Sequence, residues 1–302
     1  MNKQSLAKSE FCKLSVAIAT RNEEENIARC LNSVKEIAGE IIVVDEYSTD
    51  KTREIAEGLG AKVYKELHHD IFHITKQKAL DYATGNWILQ LDADEVVTSE
   101  LAGEIRTIIS SDGGLKGLLG GDAKKKRLFE RHQKLIEQRD GTPLRQGYAG
   151  QEIVGYYIAR KNMFLGKPLI HAGVYPDGVI RLVKKGKARF PQKSVHEQIQ
   201  LDGGVGWLAN DLEHYDSPTL KRYFTRLNRY TDLHASELKE CKVPKNALFL
   251  IQYSLFKPLY VFLNLFIRHS GFKDGVNGFL WSFFSSLHYP IAYFKYVTNK
   301  LE

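Results

Sequence analysis

The sequence predicts an α/β fold. A mostly parallel sheet with helices on both faces is followed by a helical, aromatic-rich C-terminal appendage. Three observations carry this. Short apolar runs alternate with helical periods through the first hundred residues. Two of those runs close on acids, Asp45 and Asp92. And 15 of the 33 Phe, Tyr and Trp residues fall between Asn246 and Tyr296. With 302 residues, 43% of them hydrophobic, the chain is long enough for a large domain with an appendage. The expected division is 1–217 and 218–302.

The elements follow in order. Leu14–Ala19 is apolar and rich in β-branched residues, a strand. Glu24–Glu36 has helical spacing through Ile27, Leu31 and Val34. Ile41–Val44 is a continuous apolar run, as expected of a strand covered on both faces. Ser48-Thr49-Asp50 offers an N-cap for a helix over Lys51–Leu59 that Gly60 stops. Lys62–Tyr64 is a short strand, Ile71–Ala83 a helix ended near Gly85, and Trp87–Leu91 a fourth strand. Alternation of this kind predicts a parallel sheet, and ligands then bind outside the carboxyl ends of its strands. Asp45, Asp92 and Asp94 lie there.

The glycine-rich run Gly113–Gly121 and the charge-dense Asp122–Asp140 read as an insertion or flap over 113–150. No Gly-Lys-Ser/Thr follows, so the run is not a phosphate loop. Glu152–Ala159, Val179–Val183 and Ser194–Gln200 read as strands. Pro218–Glu240 is an amphipathic helix capped by Ser217. Two helical segments, about Asn246–His269 and Gly275–Val297, close the chain.

Charge narrows the function classes. The net charge is +7, but residues 242–302 hold seven Lys/Arg against two Asp/Glu, so +5 belongs to the tail. That distribution, with no recognition motif, argues against a nucleic-acid binder. Cys12, Cys30 and Cys241 are odd in number and far apart, which excludes a disulfide framework and a cysteine zinc site and fits a reducing compartment. The first residues lack an apolar h-region, so no secretory signal is expected.

Three motifs carry chemistry. In Leu91-Asp92-Ala93-Asp94-Glu95 two carboxylates at i and i+2 end an apolar strand, where both can face one ligand. Hard oxygens there suit Mg²⁺ or Mn²⁺. Asp45 ends the second strand, where an acid can accept hydrogen bonds from a base or ribose, with helix capping assigned to Ser48 or Asp50. Thr20-Arg21-Asn22-Glu23-Glu24 is a polar loop after the first strand. His69 and His73 share a helix face at i and i+4, but no third zinc ligand is evident.

Together, Ala19-Thr20-Arg21-Asn22-Glu23, Asp45 with Ser48-Thr49-Asp50, Ala83-Thr84-Gly85 and Asp92-Ala93-Asp94 resemble the family 2 nucleotide-diphospho-sugar glycosyltransferases of GT-A fold. Tyr156–Leu165, Asp177, Arg181-Leu182, Val195-His196-Glu197 and Gly271–Gly275 extend the likeness to the lipopolysaccharide-core β-1,4-glucosyltransferase-like subgroup. The 113–150 region has no counterpart.

The resemblance implies a catalytic domain over 1–217 and a nucleotide-sugar donor, a UDP-sugar foremost. Thr20, Asn22 and Glu23 would line the nucleotide pocket and Asp45 would contact the base. Lys76 would lie near the nucleotide or its phosphates. Asp92 would face the ribose or donor sugar, and Asp94, with Asp92, would hold the metal. Glu197 would be the general base of an inverting transfer. Arg181 would bind diphosphate or pair with Asp177. His171, Asp177 and His196 would shape the acceptor side. Where the family has Asp-Gly or Ser-Gly after the first acid, this chain has Glu46-Tyr47; where many members have Glu-Asp, it has His196-Glu197.

The tail bears on location. Ala247–Ile267 is nearly long enough to span a bilayer, but Gln252, Lys257-Pro258 and Asn264 make a clean span costly. Phe279–Val297 is broken at His288-Tyr289-Pro290. Tyr, Trp and flanking Lys/Arg fit helices at headgroup level over 246–297, with the positive excess favouring an anionic leaflet. The expectation is a peripheral enzyme on the inner face of the cytoplasmic membrane, acting on a lipid-linked or envelope-glycan acceptor. Two alternatives stay open: a polyprenyl-phosphate glycosyltransferase, whose ionised acceptor needs no general base, and a non-catalytic, membrane-anchored nucleotide-sugar-binding protein.

Overall fold

The computed structural model describes residues 14–69, 71–111, 152–191 and 199–298, with isolated helical positions at 127, 130 and 134. Apart from those positions, the expected 113–150 flap lies outside the described residues. So does the expected strand at Ser194–Gln200, except for its last two residues. The chain divides into two compact units, one of residues up to Arg160 with Pro176–His214, the other of Lys161–Tyr175 with Tyr215 onward. The sequence reading placed a single boundary after 217. The second unit also takes Lys161–Tyr175, because that segment supplies Phe164 and Leu169 to its core.

The first unit is built on a twisted sheet. Strands β1 (Leu14–Thr20), β2 (Glu40–Asp45), β3 (Lys62–Lys65) and β4 (Trp87–Asp92) run parallel in the order β3-β2-β1-β4. Antiparallel strands extend it: β8 (Asp177–Lys184) pairs with β4, and β6 (Ile153–Phe164) pairs with β8. Of the short strands, β7 (Lys167–Pro168) pairs antiparallel and β11 (Gly204–Trp207) parallel with β6, and β9 (Ala188–Arg189) pairs with β10 (Gln200–Leu201). β5 (Glu95–Val97) pairs antiparallel with β12 (Leu212–Ser217), setting His214 opposite Glu95.

β1 is buried along its whole length, as its unbroken apolar run requires. Leu14, Val16 and Ile18 enter a cluster with α1 (Ile27–Val34) and α4 (Ser99–Ser110). The small alternate residues Ser15, Ala17 and Ala19 leave room for the helix that packs on β1 and β2, α3 (Phe72–Tyr82). α1 buries Ile27, Cys30, Leu31 and Val34 at helical spacing. It is shorter than the expected Glu24–Glu36, because Glu23 and Glu24 belong to a loop fixed by other partners. α2 (Thr52–Gly58) ends before Gly60, which takes φ +86°.

In the second unit α5 (Leu220–Glu240) is capped by Thr219, whose hydroxyl accepts from Arg222 N–H. Ser217, the expected cap, is the last residue of β12. A continuous helix α6 (Ala247–Arg268) follows. A π-helical turn at 252–256 leads into Pro258, where the missing proline donor interrupts the ladder, and a second π-helical turn follows at 264–268. α7 (Gly275–Ser286) and α8 (His288–Thr298) complete the unit. Gly278 lies so close to the Gly271 carbonyl that a Cβ there would sit 1.9 Å from it. Tyr253, Tyr293, Tyr296, Ala235 and Leu238 form one buried cluster.

Candidate active site

The carboxyl ends of the parallel strands put Thr20 opposite Asp45 and Ala19 opposite Asp92. The polar loops above β1 and β2 are stapled together. Asn22 N–H donates to Ser48 Oγ (2.8 Å), Thr49 N–H to Asn22 Oδ1 (2.8 Å), Glu23 N–H to Thr52 Oγ1 (2.8 Å) and Lys51 N–H to Glu24 Oε2 (3.0 Å). Asn22 takes φ +53°, a region Asn tolerates. Tyr47 takes φ +50° and is 54% exposed. That conformation accounts for the glycine other members of the resembled family carry after their first acid.

Asp45 is fully buried, and its carboxylate accepts from Ser48 N–H (2.8 Å) and from the Ser48 hydroxyl. Asp45 therefore shapes its own turn, a capping role the sequence reading gave to Ser48 or Asp50. Arg53 lies 3.6 Å from it. Next to it, buried Glu46 accepts from the Thr75 hydroxyl and lies 2.6 Å from His68 Nδ1. Thr20 is 1% exposed, and its hydroxyl has no hydrogen-bond partner among the described residues. A buried unpaired hydroxyl at a strand end is one that a ligand can satisfy.

Around Asp92 lies a buried ionic network. Lys76 Nζ is 2.5 Å from Asp92 Oδ1, and the Arg181 guanidinium is 2.5 Å from Oδ2. Arg181 also donates to Glu95 Oε1 (2.5 Å) and to Gln90. Glu95, fully buried, accepts the Asp92 N–H (2.9 Å). Arg160 lies 3.6 Å from Glu95 and 2.6 Å from Asp177. Burial alone would push the Asp92 carboxyl up, but Arg181, Lys76 and Arg160 overcome it and hold the group well below the usual carboxylate range. Burial likewise opposes the Arg181 charge, and Asp92 and Glu95 reverse that and raise its pKa.

Asp94 sits in the turn between β4 and β5. The β5–β12 pairing brings His214 Nε2 to 3.5 Å from Asp94 Oδ1. Burial, followed by the nearby acids, pushes the Cys30 thiol well up; its Sγ lies 3.6 Å from the Asp92 carbonyl.

The structure thus gathers Thr20, Asp45, Lys76, Asp92, Asp94, Asp177 and Arg181 in the first unit, with Asn22 and Glu23 on the stapled loop. Asp177 pairs with Arg160 and not with Arg181, because strand register sets Arg160 opposite Asp177. His171 belongs to the second unit, with Nδ1 2.7 Å from Asp274. His196 and Glu197 lie outside the described residues. His69 and His73 join no cluster of three metal-type ligands among the described residues, and the His73 ring lies against Phe190. Sequence reasoning missed Glu95, Gln90, Arg160, Glu46 and His214. Only Glu46 and Glu95 carried a local signal, each as the acid directly after an aspartate at or just past a strand end, Asp45 or Asp94.

Residues 15–157 match the family model of Glycosyl transferase family 2. That segment is a family 2 glycosyltransferase domain. Its parallel half-sheet with acids at the carboxyl edge, continued by antiparallel strands, is the GT-A arrangement. A protein named "Uncharacterized glycosyltransferase" from Rickettsia bellii is 48% identical over 99 residues, 33% of this chain and 33% of its own length. A TPR repeat-containing protein of Synechococcus elongatus is 30% identical over 205 residues, 67% of this chain and 50% of its own length. The chain thus spans a third to a half of these curated relatives. Residues 1–349 of Staphylococcus aureus TarS, solved in complex with UDP, are 16% identical with a TM-score of 0.40, covering 95% of this chain and 92% of that one. A likeness at that level carries nothing about substrate.

Proposed function

We propose that this protein is an inverting, divalent-metal-dependent glycosyltransferase. Its donor is a nucleotide sugar, a UDP-sugar foremost, and its acceptor a hydroxyl of a lipid-linked or envelope glycan of the lipopolysaccharide-core type. One observation carries the reading. At the carboxyl edge of the family 2 segment's parallel strands, a charge-compensated Asp92 stands beside Asp94, which His214 approaches from beyond that segment.

The donor set fits a divalent cation. One carboxylate oxygen and one imidazole nitrogen, 3.5 Å apart, match Mn²⁺ well and Mg²⁺ less well, since Mg²⁺ prefers an all-oxygen shell. Bound there, the cation would neutralise charge growing on the leaving diphosphate. The chain's own groups do the rest. The Thr20 hydroxyl and the stapled Asn22–Glu23 loop hold the nucleoside. Lys76 and Arg181 fix the Asp92 carboxylate toward the ribose or donor sugar. Glu197 takes the proton of the acceptor hydroxyl as its oxygen bonds to the anomeric carbon and the bond to the diphosphate oxygen breaks.

The test is a panel of nucleotide sugars, with Mn²⁺ or Mg²⁺ and a membrane lipid extract, scored for nucleoside diphosphate release. Asp94→Asn, His214→Ala and Glu197→Gln are each expected to remove transfer while the protein stays folded; full turnover by Asp94→Asn overturns the metal assignment. Retained transfer by Glu197→Gln favours a phosphate acceptor, since an ionised phosphate needs no base. No release with any donor favours a non-catalytic binder.

A further inference from the structure

We infer that α6 lies flat in the interface of a bilayer containing anionic lipid, its outer face in the acyl boundary, and does not cross the membrane. This inference is independent of the chemistry proposed above.

α6 has 22 residues and a mean hydropathy of 1.4 over its apolar window, yet only 6% of that window is buried. Leu248, Leu255, Phe256, Leu259 and Ile267 are 70%, 57%, 62%, 51% and 55% exposed. The apolar surface continues onto α7 at Val276, 72% exposed, and at Phe279, whose ring packs against Phe262 and Phe266. A soluble surface rarely leaves so large an apolar patch uncovered.

Two findings bear on how the helix meets lipid, and the second chooses between lying and crossing. The first is the charge at the helix centre. Lys257 Nζ sits 3.5 Å over the ring of Tyr253, which is buried, and 5.4 Å from that of Tyr289. The cation is therefore turned into the unit's own aromatic core, away from the exposed apolar face, and it does not interrupt that face. The second is that both helix ends are fastened within one compact unit. At the amino end Tyr293 donates to the Pro244 carbonyl (2.9 Å) and Tyr296 to that of Val243 (2.7 Å). At the carboxyl end Ala172 N–H donates to the His269 carbonyl (3.0 Å), His171 N–H to Asp274 (2.8 Å) and Asn277 to the Phe164 carbonyl (2.6 Å). At about 1.5 Å per residue the helix is long enough to cross the hydrocarbon core. Crossing would carry one pinned end, with its polar partners, to the far side. Lying flat keeps both sets of contacts.

Charge complementarity selects the occupant. Lys242, Lys245, Arg268 and Lys273 flank the helix, and residues 242–302 carry +5. Anionic headgroups match that excess, whereas a second copy of the same face would bring like charge against like.

The test is flotation of the full chain with vesicles of phosphatidylcholine alone and with added phosphatidylglycerol. Binding is expected to need the anionic lipid, to fall roughly tenfold or more in Leu255→Glu/Leu259→Glu, and to persist in the control Leu233→Glu on α5. Bound protein is expected to come off in alkaline carbonate, as an in-plane helix does. Both variants alter exposed positions, and unchanged circular dichroism confirms their fold. Carbonate-resistant protein means the helix crosses and overturns the inference. So does equal binding to phosphatidylcholine alone. A lipid-free dimer that the double variant splits, without vesicle binding, assigns the face to self-association and also overturns it.

Discussion

Arg181 decides whether the ionic network holds the site together or grips the donor directly, and Arg181→Met separates the two. The guanidinium is 5% exposed and bonds to Glu95, Asp92 and Gln90. Methionine keeps much of the volume and removes the charge. Glu95 is 0% exposed and would be left with the Asp92 N–H at 2.9 Å and, as its nearest cation among the described residues, Arg160 at 3.6 Å. Breaking one partner out of a buried pair costs about 3–5 kcal/mol. Asp92 adds less, because Lys76 stays on it and its side chain is 23% exposed. For a domain of roughly 150–250 residues each kcal/mol lowers Tm by about 2–4 °C, so a fall of about 6–20 °C is expected. Urea denaturation with unchanged m value gives the free energy directly. Adding Glu95→Leu removes the stranded charge and is expected to restore at least ~1 kcal/mol. A diphosphate ligand would behave otherwise. If Arg181→Met denatures within ~1 kcal/mol of the parent and loses only nucleotide affinity, the structural role given to Arg181 is refuted.

Two further predictions draw on other parts of the first unit. Thr20→Val replaces a buried, unpartnered hydroxyl with a methyl of similar shape. The donor-free protein is expected to gain ~1 kcal/mol while nucleotide-sugar affinity, measured by calorimetry, falls severalfold; unchanged affinity removes Thr20 from the donor site. Glu40 concerns acid stability. Burial raises its pKa, but hydrogen bonds from Ser15, Thr84 and Lys62 prevail and lower it from 4.5 to about 2. A depressed folded pKa gives stability that is present above about pH 4.5 and lost as pH falls toward 2, at most about 3 kcal/mol. Glu40→Gln is expected to flatten that acid limb in pH-resolved denaturation, and a limb as steep as the parent's counts against the assignment.

The parallel half-sheet was legible because β1, β2 and β4 are largely apolar runs, two of them ending on acids, a pattern local to each run. The β5–β12 pairing was not. Leu212–Ser217 buries only its two end residues, so no apolar run marks it, and its partner is more than a hundred residues away. His214 was missed with it. The loops show a different limit. Asn22, Asp45 and Ser48 are the polar residue types a nucleotide pocket needs, but they are also the types that staple loops, and here they bond to one another. Residue type does not reveal how much hydrogen-bonding capacity is already engaged. The tail shows the same limit for charge: Lys257 reads as a defect in an apolar segment until its position over Tyr253 is known.

The same reasoning separates two aspartates that the sequence presents as equals. Gln90 and Asp92 share one face of β4 by strand alternation, and the register of β8 puts Leu182 opposite Leu89, so Arg181 reaches both. Asp94 lies past the strand, beside His214. Among the described residues of the network, Lys76, Arg160 and Arg181 are matched by Asp92, Glu95 and Asp177, three charges against three. These cations are already compensated, so they add little attraction for an arriving diphosphate. Under the proposed function, the charge that holds the donor then comes with the metal. Chelation by EDTA is therefore expected to weaken donor binding itself, by about a hundredfold, and not only to stop turnover. Calorimetric titration of the donor with and without Mn²⁺ reads this. Affinity retained within about tenfold in EDTA would mean that the matched cations release their carboxylates to the diphosphate, and the account of a closed, neutral network would fail.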